Sequence, residues 1–399
     1  MSSMSYMEKL LDGVEVEWKA LGEVTNVLRG KRLTKSQLTE GAKFPVHHGG
    51  LEPLGHYVDS NRPANTVMII NVGASAGTVG YSFVDFWSSD GCFCLKHNEL
   101  LNNRFLYFAL IGHQSLLRSR VRVAGIPTLD AIVIEKLEIP IPCPENPKKS
   151  LEIQAEIVRI LDAFTELTTE LTTELTTRKK QYNYYRDQLL SFEEGEVEWK
   201  TLGELTRVFS ASRVHKNEWT TSGVPFYRTS DVISIFNGVK NSRDAAFISH
   251  DLYKTLSSKS GKIQKDDILV TGGGTIGIPY IVTTDEPLYF KDADLLCIQK
   301  NKSLNSKFLY YFFLSTMFRN YLDKITHNAT IAHYTITQIL KTPVPVPPLA
   351  EQARIVAILD KFDALTSSIT EGLPREIELR QQQYEYYRDL LLSFPKPET

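Results

Sequence analysis

Cysteine is scarce in this 399-residue chain: Cys92, Cys94, Cys143 and Cys297 are all there is. They are too scattered for a disulfide framework, and no Cys-x-x-Cys pair is present to hold zinc. A reduced, cytoplasmic setting is the expectation. No apolar run is long enough to cross a membrane, and the opening Met1-Ser2-Ser3-Met4-Ser5 lacks the basic-then-apolar pattern of a secretion signal. Neither sign of charge dominates, with 45 Lys and Arg against 47 Asp and Glu. Taken as one object, such a chain has no electrostatic pull on nucleic acid. Catalytic signatures are missing as well. Gly272-Gly273-Gly274-Thr275 has no Gly-Lys-Ser/Thr continuation, so it is not a Walker loop. There is no Asn-Pro-Pro-Tyr/Phe or Asp-Pro-Pro-Tyr, no Gly-x-Ser-x-Gly and no His-Glu-x-x-His. His47-His48 lacks the company of other metal ligands. Asp12 with Glu17-Trp18-Lys19 imitates a nuclease cluster, but its duplicate Glu198-Trp199-Lys200 has no matching aspartate. The chain carries no evident chemistry of its own.

What it does have is repetition. Val16-Glu17-Trp18-Lys19-Ala20-Leu21-Gly22-Glu23 returns at 197–204, Ile153 to Asp162 returns at 351–360, and Tyr182 to Phe192 returns at 384–394. The segments between barely match, apart from echoes such as Gly77-Thr78-Val79-Gly80 with Gly274-Thr275-Ile276-Gly277. A constant frame thus holds two different inserts of related fold. Each insert reads as mixed α/β, with short apolar strands at 67–72 and 267–270 and aromatic-rich helices at 105–111 and 308–318. Prolines at 140, 142, 144 and 147, and at 343, 345, 347 and 348, are expected to break regular structure at each exit into the frame.

The frame reads as long helices. Ile157, Ile160, Leu161 and Phe164 follow i, i+3, i+4, i+7, as do Ile355, Ile358, Leu359 and Phe362. Neither proline nor glycine occurs from Ile153 to Phe192, so a single helix of roughly 60 Å is expected. Its apolar stripe is expected to pack on the counterpart at 351–394, where Gly372 and Pro374 predict a break or kink. Within the first helix, Thr165-Glu166-Leu167-Thr168 is repeated at 169–172 and 173–176. Four residues turn a helix by about 400°, so Leu167, Leu171 and Leu175 stay near one face. The N-terminal Tyr6 to Trp18 resembles the run from Tyr185 to Trp199, which makes the repeat circular and predicts termini near each other.

Charge follows the same division. Residues 23–140 hold 12 basic and 10 acidic residues, residues 203–343 hold 17 and 12, and the frame keeps the remaining 16 and 25. The inserts are basic and the frame is acidic; basic surface attracts phosphate through counterion release.

These frame segments, with the tetrapeptide repeat ahead of Arg178-Lys179-Lys180-Gln181-Tyr182-Asn183-Tyr184-Tyr185-Arg186-Asp187, resemble the specificity (S) subunits of Type I restriction–modification enzymes, nearest the group called type IC. The resemblance covers roughly 1–24, 139–206 and 341–399; within the inserts it is architectural only. It implies an α+β fold: two α/β target recognition domains joined by two long antiparallel coiled-coil-like helices in a circular pseudo-two-fold repeat. The segments would be an N-terminal piece of the frame (1–22), a first recognition domain (23–143), a central spacer helix (144–196), a second recognition domain (197–345) and a C-terminal spacer helix (346–399). It also implies a non-catalytic subunit. Each domain would read half of a split, asymmetric double-stranded DNA site, and the repeat number would tune the spacer. Two methyltransferase (M) subunits would dock on the helices, with motor-nuclease (R) subunits beyond them. The implied S-adenosylmethionine, ATP and Mg2+ belong to those partners, and none to this chain.

The resemblance implies several loop regions facing DNA in each domain. Candidate contacts in the first are Arg29, Lys31, Arg32 and Lys35; His47 and His48; Asn71, Ser75 and Thr78; and Arg118, Arg120 and Arg122. In the second they are Arg213, His215 and Lys216; Tyr227, Arg228, Thr229 and Ser230; Thr271 and Thr275; and His327, Asn328, His333 and Tyr334. Arg228 leads, because the apolar run Val224-Pro225-Phe226-Tyr227 should fix its base. The glycines at 272–274 read either as a turn whose N–H groups approach a phosphate or as a purely structural turn. For the M subunits, the helical faces at 154–164 and 352–362 and the tyrosine segments are the expected seats. A free-standing bipartite DNA-binding regulator, or an enzyme of unrecognised motif, would be the alternative.

Overall fold

The computed structural model describes residues 6–11, 13–193, 195–238, 246–326, 333–368 and 370–395. The chain divides into two compact units, one formed by residues 1–170 with 379–399 and the other by residues 171–378.

In the first unit, Thr66–Ile70 is buried at every position, as a strand covered on both faces must be. It sits in a four-stranded antiparallel sheet ordered Thr25–Arg29, Cys92–His97, Thr66–Ile70, Val79–Ser82. Beside it, Phe44–His47 pairs antiparallel with Gly55–Tyr57 and parallel with Trp87–Ser88. The helix Asn103–Gly112 is started by Asn102, whose side chain accepts from Arg104 N (2.9 Å) and Phe105 N (3.1 Å). It presses Phe105, Leu106 and Phe108 into the core.

The second unit repeats this plan. Its four-stranded sheet runs Val208–Ser210, Leu295–Ile298, Ile268–Thr271, Pro279–Ile281. Val224–Tyr227 again pairs parallel with its distant partner, Tyr289–Phe290. Asn305 caps the helix Ser306–Leu314. The aromatic helix expected at 308–318 is two helices, because Ser315 leaves the helical path before Thr316–Thr326 begins.

The prolines do not break structure as expected. Glu138–Pro142 and Pro343–Val346 are strands, each paired in a two-stranded ribbon, with Val16–Ala20 and Glu198–Thr201 respectively. A ribbon has an open edge, where the missing N–H of a proline costs nothing. Pro147 also opens the long helix, at the end of a helix where no N–H partner is needed.

That helix, Pro147–Leu189, is 43 residues long. Its stripe is not given over to a helix pair alone. Ile153, Ile157 and Leu161 enter the core of the first unit with its insert. Beyond them, rings stack between the two arms of the frame: Phe164 on Tyr387 (5.3 Å) in the first unit, Tyr182 (6.2 Å) and Tyr185 (5.6 Å) on Phe362 in the second. The second arm is broken into Leu349–Thr366 and Gly372–Leu391. Gly372 is left-handed (φ 77°), and a Cβ there would lie 2.4 Å from Ala364 O, so the break requires glycine.

The threonines of the tetrapeptides, poor helix formers by propensity, find a local partner. The hydroxyls of Thr165, Thr168, Thr169 and Thr176, and of Thr177 just after them, each donate to the carbonyl four residues back at 2.8–3.0 Å. Leu167, Leu171 and Leu175 are half-buried. The circular closure is present within the first unit: Leu11, Leu391 and Phe394 share its core, and Trp18 Nε1 donates to Pro395 O at 2.9 Å. Trp199, the repeat counterpart of Trp18, is 40% exposed.

Candidate nucleic-acid interface

The strand Thr66–Ile70 leads into Asn71, whose backbone is held on both sides. Asn71 N donates to Gly91 O (3.2 Å) and Leu129 N donates to Asn71 O (2.9 Å). Val72 then bridges Thr128, and the following turn closes with Gly77 N on Ile70 O (2.8 Å). The second unit builds the same cradle. Gly272 N donates to Asp294 O (2.7 Å), Tyr334 N to Gly272 O (2.8 Å) and Gly277 N to Thr271 O (2.7 Å), while Gly273 bridges His333. Gly77 is therefore the counterpart of Gly277, and the sequence echo with Gly274 is three residues out of register. Left-handed glycines sit four apart in one turn (Gly73, Gly77) and three apart in the other (Gly274, Gly277), which misaligns the strings.

Strand registers extend the correspondence. Arg29 lies opposite Phe93 as Ser210 lies opposite Leu296, and His47 pairs with Ser88 as Tyr227 pairs with Phe290. The one-turn helices Lys35–Gln37 and Lys216–Glu218 follow the first of these strands in each unit. Thus Arg32 matches Arg213, Lys35 matches Lys216, His48 matches Arg228, Asn71 matches Gly272, Gly91 matches Asp294 and Thr128 matches His333.

In the first unit these positions surround a cleft of about 570 Å³. It brings together five residues expected from the sequence: Arg29, Arg32, Lys35, His48 and Asn71. His48 Nδ1 lies 3.4 Å from Asp90 Oδ1. Lys31 is exposed, its carbonyl accepting from Trp87 Nε1 (2.8 Å). Ser75 and Thr78 are half-buried in the adjoining turn, and Arg118 Nη2 donates to Thr78 Oγ1 (3.1 Å). Arg118, Arg120 and Arg122 are exposed outside the cleft lining, with Arg122 ion-paired to Asp130 (3.3 Å). His47 is not the exposed loop residue expected. It ends the strand Phe44–His47 at 7% exposure, edge-on to Phe86 (5.5 Å), and burial lowers its pKa.

In the second unit Arg213, His215 and Lys216 are exposed, and His215 N donates to Glu218 Oε2 (2.6 Å) to cap the one-turn helix. Arg228 is not the free reader expected. Its backbone N, Nε and Nη2 all donate to the Asp231 carboxylate (2.8, 2.9 and 2.9 Å), capping the helix Thr229–Phe236. The fork of N–H groups that would meet a guanine is already engaged. Tyr227 is half-buried 5.7 Å from the ring of Tyr280; Thr229 Oγ1 donates to Asp294 O (3.4 Å); Ser230, Thr275 and His333 are exposed. Thr271 is fully buried, its hydroxyl donating to Thr275 O (2.6 Å) and accepting from Ile278 N (2.8 Å). Tyr334 is also fully buried, its hydroxyl paired with that of Thr342. Both are core residues rather than loop surface. His327 and Asn328 lie outside the described residues. Asp90, Thr128, Lys291 and Asp294 escaped the sequence reading; Lys291 Nζ and Asp294 Oδ2 form an ion pair at 2.5 Å. The Asp90-Gly91 dipeptide marks a turn, but only strand register puts it beside Asn71.

The frame holds each insert by the same device. Gln154 Oε1 accepts from Asn102 N (2.7 Å) and its Nε2 donates to Leu100 O (2.8 Å); Gln352 Oε1 accepts from Asn305 N (2.7 Å) and its Nε2 donates to Ser303 O (3.1 Å). A salt bridge sits about two helical turns further on: Arg104 Nε to Asp162 Oδ1 (2.8 Å), and Lys307 Nζ to Asp360 Oδ2 (2.7 Å). Gln154, Ile157, Leu161, Gln352, Ile355 and Leu359 are therefore buried against their own inserts. Those side chains face inward, while Ala155, Arg159 and Ala163 of the first stretch and Ala353, Arg354 and Ala357 of the second are exposed. The tyrosine segments stay open: Tyr184 is 61% and Tyr386 65% exposed, each edge-on to its neighbour at 5.3 Å and 75°.

Among the described residues no three His, Cys, Asp or Glu side chains group as a metal site, and no helix is long and apolar enough to cross a membrane. A family model described as the Type I restriction modification DNA specificity domain matches residues 13–178 and 194–379. The specificity subunit of the Type I restriction enzyme EcoR124I/EcoR124II of Escherichia coli is 39% identical, covering 100% of this chain and 99% of that one. A putative type I restriction enzyme specificity subunit of Haemophilus influenzae is 36% identical, covering 98% and 99%. Among solved structures, the S subunit of a Type I restriction–modification system from M. genitalium matches with a TM-score of 0.58 at 17% identity, over 97% of this chain and 98% of that one. At that identity the likeness is one of fold. The duplicated matches, the whole-length identity to specificity subunits and the doubled cradle agree: the chain belongs to the Type I restriction–modification DNA specificity family.

Proposed function

We propose that each unit reads one half of a split double-stranded DNA site, and that the frame seats two methyltransferase subunits while setting the distance between the half-sites. The observation that carries this reading is the cradle around Asn71 and Gly272. One backbone framework is built twice, with Arg32 and Lys35 in one copy and Arg213 and Lys216 in the other. Cations at equivalent places suit a ligand whose backbone is uniform; different side chains around them suit a ligand whose sequence is not. A docking surface present once per unit suits two copies of one partner. S-adenosylmethionine, ATP and Mg2+ are, in this proposal, the business of the partner subunits.

The test is methylation mapping of DNA from cells carrying this chain with its methyltransferase subunit. The expected result is one motif in two parts, of different sequence, separated by a fixed run of unspecified bases. A continuous motif, or no motif, rejects the reading.

A further inference from the structure

The two cradles share a backbone and differ in what fills them. Arg32 and Arg213, and Lys35 and Lys216, are the same in charge and place. Asn71 has no counterpart side chain, because Gly272 stands in its position. A Cβ on Gly272 would lie 2.8 Å from Tyr334 O and 3.1 Å from Ala293 O, so that copy is filled by its own backbone.

Asn71 differs from the two glutamines that are buried in the frame. Gln154 and Gln352 have partners for both their oxygens and their nitrogens. Asn71 is 5% exposed, lines the basic cleft, and its Oδ1 has no hydrogen-bond partner. A buried amide oxygen without a donor is costly, and a ligand that supplies the donor is one way such a group is retained. The space beside it is kept by glycine: a Cβ on Gly91 would lie 2.7 Å from both His48 Nδ1 and a Val72 methyl carbon. The second copy places Asp294 there instead, drawn to Lys291.

Resting on the half-site reading, we infer that Asn71 is a base-reading residue of the first unit, and that Arg32 and Lys35 hold the DNA backbone without selecting sequence. A carboxamide both donates and accepts, which is the pattern that adenine presents at N6 and N7 in the major groove.

The test compares methylation motifs in cells carrying the full chain and its methyltransferase subunit. The variants are Asn71→Ala, Asn71→Gly and Arg32→Ala. The Asn71 variants are expected to lose preference for adenine at one position of one half-site by roughly 5- to 150-fold. The other half-site stays as in the parent and reports that the chain is folded. Arg32→Ala is expected to lower methylation at every site while leaving the motif intact. The parent motif persisting in both Asn71 variants overturns the assignment, as does uniform loss of both half-sites in both variants, which makes Asn71 structural. A parent chain that yields no split motif rejects the half-site reading itself, whatever Asn71 does.

Discussion

Gln154 shows how much one buried polar side chain organises. It joins the frame helix to the loop ahead of Asn102, satisfying an N–H and a carbonyl that would otherwise be buried without partners. Gln154→Leu keeps most of the volume and removes both bonds. Chemical denaturation should show a loss of about 1–3 kcal/mol; a loss within error would mean that water replaces the amide. His47 makes a different point. Burial holds its folded pKa below the ordinary 6.5, so the neutral ring is the form that suits the fold. Its contribution is present above that value and is lost as pH falls through and below it. The melting temperature should therefore drop on acidification from pH 7 toward 5, and His47→Gln should show a smaller drop. An identical slope in the variant would assign the acid sensitivity elsewhere. At this scale the sequence was a fair guide to charge and a poor one to partners. Arg29, Arg32, Lys35, His48 and Asn71 do share one cleft. Arg228 is held by Asp231, three residues on, and an acid at that spacing is a capping signal in the sequence.

Elements are where periodicity speaks most clearly. The long helix follows from spacing and from a stretch without proline or glycine, the break in the second arm from the glycine at 372, and the aromatic helix of the first unit from its spacing. The proline strands do not. Whether a proline breaks a strand depends on which side of the ladder faces a partner, and that partner lies over a hundred residues away in sequence. The same limit applies to the apolar stripe of the frame. Ile157 and Leu161 have the spacing of a helix pair, yet they lie in a core shared with the insert as well as with Leu391 of the other arm, and rings stack between the arms at Phe164, Tyr182 and Tyr185. Tyr184 and Tyr386 are among the large side chains that the frame leaves exposed. Large exposed aromatics in equivalent places are the kind of anchor a protein partner uses. Tyr184→Ala or Tyr386→Ala alone should leave one methyltransferase subunit bound, and the double variant none, as counted by native mass spectrometry. Full assembly by the double variant would move the seat elsewhere.

At the scale of the molecule, one continuous helix carries the chain from the first unit into the second, with the tetrapeptides lying on either side of the unit boundary at residue 170. Their composition makes the helix extensible. Each added Thr-Glu-Leu-Thr brings a leucine for the half-buried face and threonines whose hydroxyls bond back to the turn before, so no new polar group is left unpaired. Four residues add about 6 Å of helix at nearly one turn of rotation, so the face is nearly kept. DNA rises about 3.4 Å per base pair. Inserting one tetrapeptide after Thr176 is therefore expected to lengthen the unspecified spacer by one or two base pairs while both half-site sequences stay the same. Methylation mapping of parent and insertion variant in the same host measures this directly. Inserting two residues instead turns the helix by about 200° and carries the leucine face away from its seat; that variant should lose the motif altogether. A spacer unchanged by the four-residue insertion would mean that the distance between half-sites is set by something other than this helix. The repeat would then be a structural habit of the sequence, and the identical frame would serve only to seat its partners.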